Sequence, residues 1–453
     1  MNQDVKIKEK KYPICINSPI EMLEPNQVIN IYEGDFKLRH EEFEIDVKGV
    51  IEFKWFPSIK VDFSVKTNEI NKEIYEYFEK NDFYEVVVNN LRFGDCFITS
   101  NSSSTEWDYI ELKGTVNDAV LGDKSIPVEY IGFSVLNLRE FYGTTVNYPI
   151  GRGSFSSRIC FENDDFEIII DKQLDHKVRY ENIKANGGFL ILYAGELRKK
   201  KGDITLKKGQ EILIAFSIFL SFLNGRRLSS LFHTGIFENE FQWCDYNHYI
   251  VDPYKDIPNW TFISIKFNND LFKNFFKLWS DENDRDFIRL AIHWYIEANS
   301  NTAHIEGSII MAQTAIELIY NWLLIENKGL LLGKDANNIS ASNKLRLLLS
   351  HLQIDYNAPD KFTHLKGHIQ NTKDIEDAPD AIVQIRNAIV HSELEKRKKV
   401  SKLDVDVVWE ALELSIWYIE MSLLYILEYK GKHKNRCNHY KIEFVPWVKE
   451  VKN

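Results

Sequence analysis

The run Gln384-Ile-Arg-Asn-Ala-Ile-Val-His391 holds the three side chains best suited to chemistry: Arg386, Asn387 and His391. An imidazole ordinarily titrates near pH 6.5, so it can take and return a proton at working pH. A guanidinium keeps its charge and grips two phosphate oxygens with its planar fork. Together they suit phosphodiester chemistry, histidine moving protons and arginine stabilising the crowded phosphorus. On a helix, Asn387 and His391 are four apart and share a face, where the amide can fix the imidazole's tautomer or touch the phosphate. Arg386 lies about 140° round such a helix from His391. A two-fold dimer solves this, because a second copy of the helix brings its own arginine and histidine to a shared cleft.

Spacing alone identifies little. Arg346 and His351 repeat it, and Arg226 or Arg227 with His233 fits a looser form. With 12 histidines in the chain, about one such match arises by chance. Arg386 differs from these in the asparagine that follows it. It also differs in its setting, a helix otherwise filled by Ile382, Val383, Ile385, Ala388, Ile389 and Val390.

The elements around this run change character along the chain. Phe43, Ile45 and Val47, then Ile51, Phe53 and Trp55, then Ile59, Val61, Phe63 and Val65 alternate with polar residues. These read as three antiparallel strands separated by Gly49 and Pro57-Ser58, each with one wet face. Further strands are expected at Glu106–Leu112, Val128–Val135, Phe166–Ile170, Phe189–Tyr193 and Thr261–Phe267, and one helix at Gln210–Leu223 that stops at Asn224-Gly225. After Ser280–Asp284 the apolar spacing turns helical, through Phe287–Tyr295, Ile305–Leu323, Leu345–Leu352, Ala381–His391 and Val405–Ile426. Asp377 is a candidate cap for the fourth of these, and Pro379 fits its first turn. The expected organisation is α+β: a β-rich region over 1–275, an all-α bundle over 284–430 and a basic tail over 431–453.

The R-N-x-x-x-H form inside a C-terminal bundle resembles the signature of HEPN ribonucleases. Ala298, Ala315-Ile-Glu317 and the helix order are similar to the Apea-like HEPN branch. Upstream, Phe133-Ser-Val-Leu-Asn137 with Phe141 and Gly143, and Leu220-Ser-Phe-Leu-Asn-Gly225 with Arg226-Arg227, resemble the β-rich region of ApeA-type anti-phage proteins. The resemblance implies a metal-independent endoribonuclease in which the 2′-hydroxyl attacks the phosphorus within a composite dimer site. His391 would transfer protons, Arg386 hold the phosphate and Asn387 orient; the plainer reading of the same residues is a polar helix end, with His391 as a cap and Arg386 paired with an acid such as Glu317. The resemblance also implies bacterial abortive-infection defence, a homodimer built through the bundle, tRNA or mRNA as substrate and a phage-derived or cellular trigger sensed by the β-rich region. Two alternatives stay open: a non-catalytic HEPN protein for RNA binding or dimerisation, and the toxin of a toxin–antitoxin pair.

Composition is compatible with this and excludes other classes. The chain has 453 residues, 44% of them apolar and 27% charged, enough for about two or three packed domains. Its net charge of -11 argues against a generic nucleic-acid coat, so basic clusters matter more than the total. Two exist: Lys396-Arg397-Lys398-Lys399, and Lys430, Lys432, Lys434 and Arg436 with Lys441, interleaved with His433, His439 and Tyr440. Both are candidate landing strips for an RNA backbone, with ordinary solvated charge as the other reading. The five cysteines form no C-x-x-C pair, as in a reducing compartment, and the charged Met1–Lys11 leads into no apolar signal core. A cytoplasmic protein with no membrane span is expected. His364 and His368 share a helix face without a third ligand in register, so no metal is assigned, and the reaction needs no cofactor. Trp107, Trp243 and Trp260 read as packing residues rather than a base-stacking platform.

Overall fold

The structure, a computed structural model, describes residues 12–41, 43–67, 77–78, 83–103, 109–150, 153–247, 249–265, 269–300, 304–390 and 403–448. The chain is α+β, with its β-rich part first and its helical part second. It divides into two compact units: Met1–Phe216 with Leu228–Lys255, and Ser217–Arg227 with Asp256–Asn453. The change of unit after Lys255 comes some twenty residues before the expected limit at 275.

The first unit contains a closed barrel and a larger sheet. The barrel strands are β1 (Ile29–His40), β2 (Phe43–Lys54), β3 (Lys60–Thr67), β4 (Phe83–Val88), β5 (Leu91–Ser103) and β6 (Ile110–Asn117), in the order β1-β2-β3-β6-β5-β4. Pairing of Leu38 with Val86 closes the ring. Alternate side chains fill the interior, among them Leu38, Ile51, Phe53, Phe63, Val86 and Leu112. Two expected strands here are one. Gly49 lies inside β2, opposite Gly34 and Val65, and a Cβ on it would sit 2.3 Å from the Ser64 carbonyl oxygen. Its bare backbone admits β3 rather than turning the chain.

The sheet comprises β7 (Val120–Gly122), β8 (Tyr130–Leu136), β9 (Thr144–Asn147), β10 (Ser154–Glu162), β11 (Phe166–Lys172), β12 (Ile191–Lys199), β13 (Ser230–Phe237) and β14 (Glu240–Asp245). Its order is β7-β14-β13-β8-β12-β11-β10-β9. The chain also forms α1 (His176–Asn186) and α2 (Leu206–Asn224); Phe216 of α2 meets the sheet's Phe133 and Phe161 edge-on. Asn137 locks the end of β8. Its amide donates to the carbonyls of Gly188 and Asp252 and accepts from the Leu190 N–H. Trp243 is fully buried against Gly235, a packing role; Trp107 lies outside the described residues.

The second unit begins with the end of α2, whose stop at Asn224-Gly225 is made as expected. Gly225 takes φ +75° and its N–H bonds to the Ser221 carbonyl. Asn259 and Thr261 donate to the Leu223 carbonyl, and Asn299 to that of Gly225, which satisfies the helix's last acceptors. Thr261 therefore serves as a cap rather than opening a strand. Ile265 N–H closes a turn onto Phe262, which corrects the strand expected at Thr261–Phe267 over its described residues. Trp260 is buried against Phe222.

The helices that follow are α3 (Asn269–Ser280), α4 (Glu282–Ser300), α5 (Ile305–Tyr320), α6 (Gly333–Asn338), α7 (Ala341–His351), α8 (Thr363–Asn371), α9 (Ala378–Val390) and α10 (Val405–Ile426). α5 packs on α4, α9 and α10, and α9 touches α5, α7, α8 and α10. The stretch Ile305–Asn327 is long and apolar enough to cross a bilayer by length and composition, yet 61% of its apolar window is buried inside the unit. It is a core helix. Residues 431–448 are no free tail: β15 (Lys432–Asn435) and β16 (Lys441–Phe444) pair around a 3-10 turn at Arg436–Asn438.

Candidate active site

α9 is started and seated by residues whose job is visible in the sequence. Asp377 accepts the Asp380 N–H at 3.0 Å, and Pro379 occupies the first turn, where its missing donor costs nothing. Ala378, Ala381, Ile382 and Ile385 bury one face against the neighbouring helices. Beyond Ile385 the helix emerges: Arg386, Asn387, Ala388 and Ile389 are half-buried and Val390 is exposed.

Arg386 is turned along its own helix. Its Nη1 donates to Asn387 Oδ1 at 3.1 Å, and its Nη2 stands 3.6 Å from Oε1 of Glu317 on α5. Its Nε is buried and has no hydrogen-bond partner among the described residues. The side chains of Arg386 and Glu317 are 27% and 37% exposed, so the pair is open to exchange. Three of the expected residues, Arg386, Asn387 and Glu317, are thus brought together. His391 lies outside the described residues, as do Lys396, Arg397, Lys398 and Lys399.

Tyr320 is buried one turn after Glu317 on the same helix, and periodicity had counted it only as core. Burial, and next the Glu317 carboxylate, push its phenol up to about 12, with Arg386 opposing. The hydroxyl therefore stays protonated and remains a donor. Its position three residues after Glu317, on one helix face, was the available signal. Directly after Tyr320 the helix widens into a π-helical stretch, Asn321–Asn327, a distortion frequent at functional sites. Trp322 pins it, stacked on Phe287 and donating to Asp284 Oδ1 at 2.9 Å.

The rival pairs are structural. Arg346 is held bidentately by Asp377 at 2.6 and 2.9 Å, which ties α7 to the start of α9, and His351 meets the Tyr425 hydroxyl at 3.1 Å. Arg227 pairs with Glu297. In the first unit, His233 Nε2 lies 3.1 Å from Ser230 Oγ and Nδ1 3.7 Å from Asp245 Oδ2, an order reminiscent of a nucleophile, base and acid. All three are sealed inside, at most 1% exposed, so this chain holds β13 to β14 and meets no substrate.

The second basic cluster divides. Lys430 and Lys432 are exposed and Lys434 half-buried, with Lys432 over the Phe444 ring and Lys434 over Tyr440. Arg436 does not belong with them, which corrects its assignment to RNA. It is 1% exposed, bidentate on Glu420 at 2.6 and 3.1 Å, and bonded to Glu413 and Asn299 at 3.1 and 3.0 Å.

Relatives are found for the sheet part of the first unit and for the helices of the second. Residues 123–257 match the family described as YopA central domain, and residues 281–449 that described as YopA C-terminal domain. The whole chain is similar to the SPbeta prophage-derived uncharacterized protein YopA of Bacillus subtilis (strain 168). The two are 25% identical over 449 residues, 96% of this chain and 98% of the relative. No solved structure matches the chain.

Proposed function

We propose that the protein is a metal-independent endoribonuclease of the HEPN type that acts in the bacterial cytoplasm against phage. The observation that carries this is Arg386, held beside Asn387 at the half-exposed end of a bundle helix, with its Nη2 only loosely paired to Glu317 at 3.6 Å. A guanidinium in that setting has donors to offer a phosphate. His391, in the same motif, takes the 2′-hydroxyl proton and protonates the departing 5′-oxygen, while Arg386 neutralises the phosphorane and Asn387 orients. Two chains share the site, so that one subunit's histidine works with its partner's arginine. The β-rich unit holds the nuclease in check until a phage-derived or cellular trigger arrives. The prophage origin of the similar Bacillus protein fits this role, since a resident prophage gains when a competing phage is stopped.

The test is cleavage of labelled tRNA and mRNA by the purified full chain in EDTA. Wild type cuts, leaving 2′,3′-cyclic phosphate ends, and Arg386→Ala and His391→Ala do not. Cutting that persists in both variants, or that needs magnesium, overturns the proposal.

A further inference from the structure

The histidine pair on α8 is not used by this site, and the fold gives it partners that spacing did not. His364 is the second residue of α8; Asp404 is the N-cap of α10 and Asp406 lies in its first turn. One oxygen of Asp404, Oδ1, accepts the Asp406 N–H at 3.0 Å and fixes the carboxylate. Its other oxygen is 3.6 Å from His364 Nδ1, and Asp406 Oδ2 is 3.9 Å from His364 Nε2. One ligand atom can be taken from each residue so that all lie within 4.8 Å of one another. Donors at about 2.1 Å from a single ion stand roughly 3.0–4.2 Å apart, so closing on one needs only side-chain adjustment. All three side chains are about half exposed, which leaves an ion's approach open. Beside them lies a cavity of about 730 Å³ lined by His364, His368, Asp404, Gln384 and Ala388, with room for the waters that complete a coordination shell.

We propose that His364, Asp404 and Asp406 bind one divalent transition-metal ion. The two units of negative charge from Asp404 and Asp406 call for a cation, and the imidazole selects against magnesium and calcium in favour of manganese, iron, cobalt or zinc. His368, one turn further along α8 on the same cavity, supplies a fourth ligand if its ring swings over. The ion clips α8 to the start of α10. It takes no part in the cut: the cavity meets α9 at Gln384, Ile385 and Ala388, whereas Arg386 turns to Glu317 on α5.

The experiment is titration of the chelator-stripped full chain with Co²⁺, followed by d–d absorption and by thermal unfolding. Wild type takes up one equivalent and its Tm rises. His364→Gln, Asp404→Asn and Asp406→Asn each weaken binding by about 10–100-fold or more. Asp404→Asn is decisive, because asparagine still caps α10 and so separates the loss of a ligand from a failure to fold. Absence of stoichiometric uptake by wild type, or wild-type affinity in all three variants, overturns the proposal.

Discussion

Arg386 Nη2 and Glu317 Oε1 face each other across the packed helices α9 and α5 at 3.6 Å. The gap exceeds a close ion-pair distance, and both groups reach solvent. Such a pair contributes under about 1 kcal/mol. The guanidinium is therefore placed without being consumed.

From this follows a separation of stability and activity. Arg386→Ala should lower the cleavage rate by about 10²–10³-fold, the usual effect of removing one charge-stabilising donor. Its Tm should stay within a few degrees of wild type, because the missing pair is worth little. Arg386→Lys should not rescue cleavage, since an ammonium lacks the planar fork. A collapse of Tm in step with activity would make Arg386 a structural residue.

In the proposed site Glu317 would compete with phosphate for the Arg386 guanidinium. Glu317→Gln keeps the side chain's length but drops its charge, so RNA affinity should rise by less than about tenfold. Fluorescence anisotropy with a short RNA in an Arg386→Ala background provides the control, where the gain should vanish.

On the proposed reading, Lys430, Lys432 and Lys434 would act on RNA through counterion release. Replacing Lys430, Lys432 and Lys434 together by alanine should weaken RNA binding at all sequences. It should also flatten the log–log salt dependence by about 0.7 for each phosphate the variant no longer neutralises. Comparing the slopes of wild type and triple variant between low and moderate salt checks this; an unchanged slope places the RNA elsewhere.

How much of this was readable beforehand depends on whether the deciding interaction was local. The parity of Phe43, Ile45, Val47, Ile51 and Phe53 predicted a strand face, and the same odd parity runs unbroken through Gly49, so the joined strand β2 was legible and the glycine was misjudged as a break. α3 straddles the limit expected at 275 and was not anticipated, although Leu271, Phe272 and Phe275 are buried at helical spacing. Asp377 was recognisable as a cap, but not as the bidentate holder of Arg346, 31 residues away. Arg436 defeats any reading of charge runs, because only the tertiary fold reveals that its neighbours in space are carboxylates from α10. Arg386, Asn387 and Glu317 were found because two of them are adjacent and the third came with the family resemblance; Tyr320 was missed because an apolar period absorbs a tyrosine without notice.

Asp245 makes the first unit sensitive to acid. Burial favours its neutral form, but His233, Gln210 and the Asn247 N–H more than compensate and hold the carboxyl down to about 2. A depressed folded value means stabilisation present above the ordinary value near 3.8 and lost as pH falls toward about 2. The amount is about 2 kcal/mol. Amide hydrogen exchange in β13 and β14 should accelerate over that window in wild type, and Asp245→Asn should show little dependence on pH there.

The buried Arg436 network makes opposite predictions for its two sides. Arg436→Ala strands Glu420 and Glu413 in the core, and removing one partner of a buried pair costs about 3–5 kcal/mol. Glu420→Gln should cost much less, because the amide oxygen can still accept from the Tyr295 hydroxyl, which now meets Glu420 Oε1 at 2.9 Å. Burial lifts the Glu420 carboxyl above its ordinary range, even with Arg436 and Tyr295 beside it. A raised folded value gives a contribution that is full below the ordinary carboxylate range and lost as pH rises through the lifted value. The stability of Glu420→Gln relative to wild type should accordingly improve from pH 4 to pH 8, measured by denaturant unfolding of the full chain with a probe in α10. Arg436→Ala should remain destabilised throughout, and its surface lysines should still bind RNA wherever the unit is folded. An Arg436→Ala protein of normal stability that has lost RNA binding would return the guanidinium to the surface cluster from which the fold removes it.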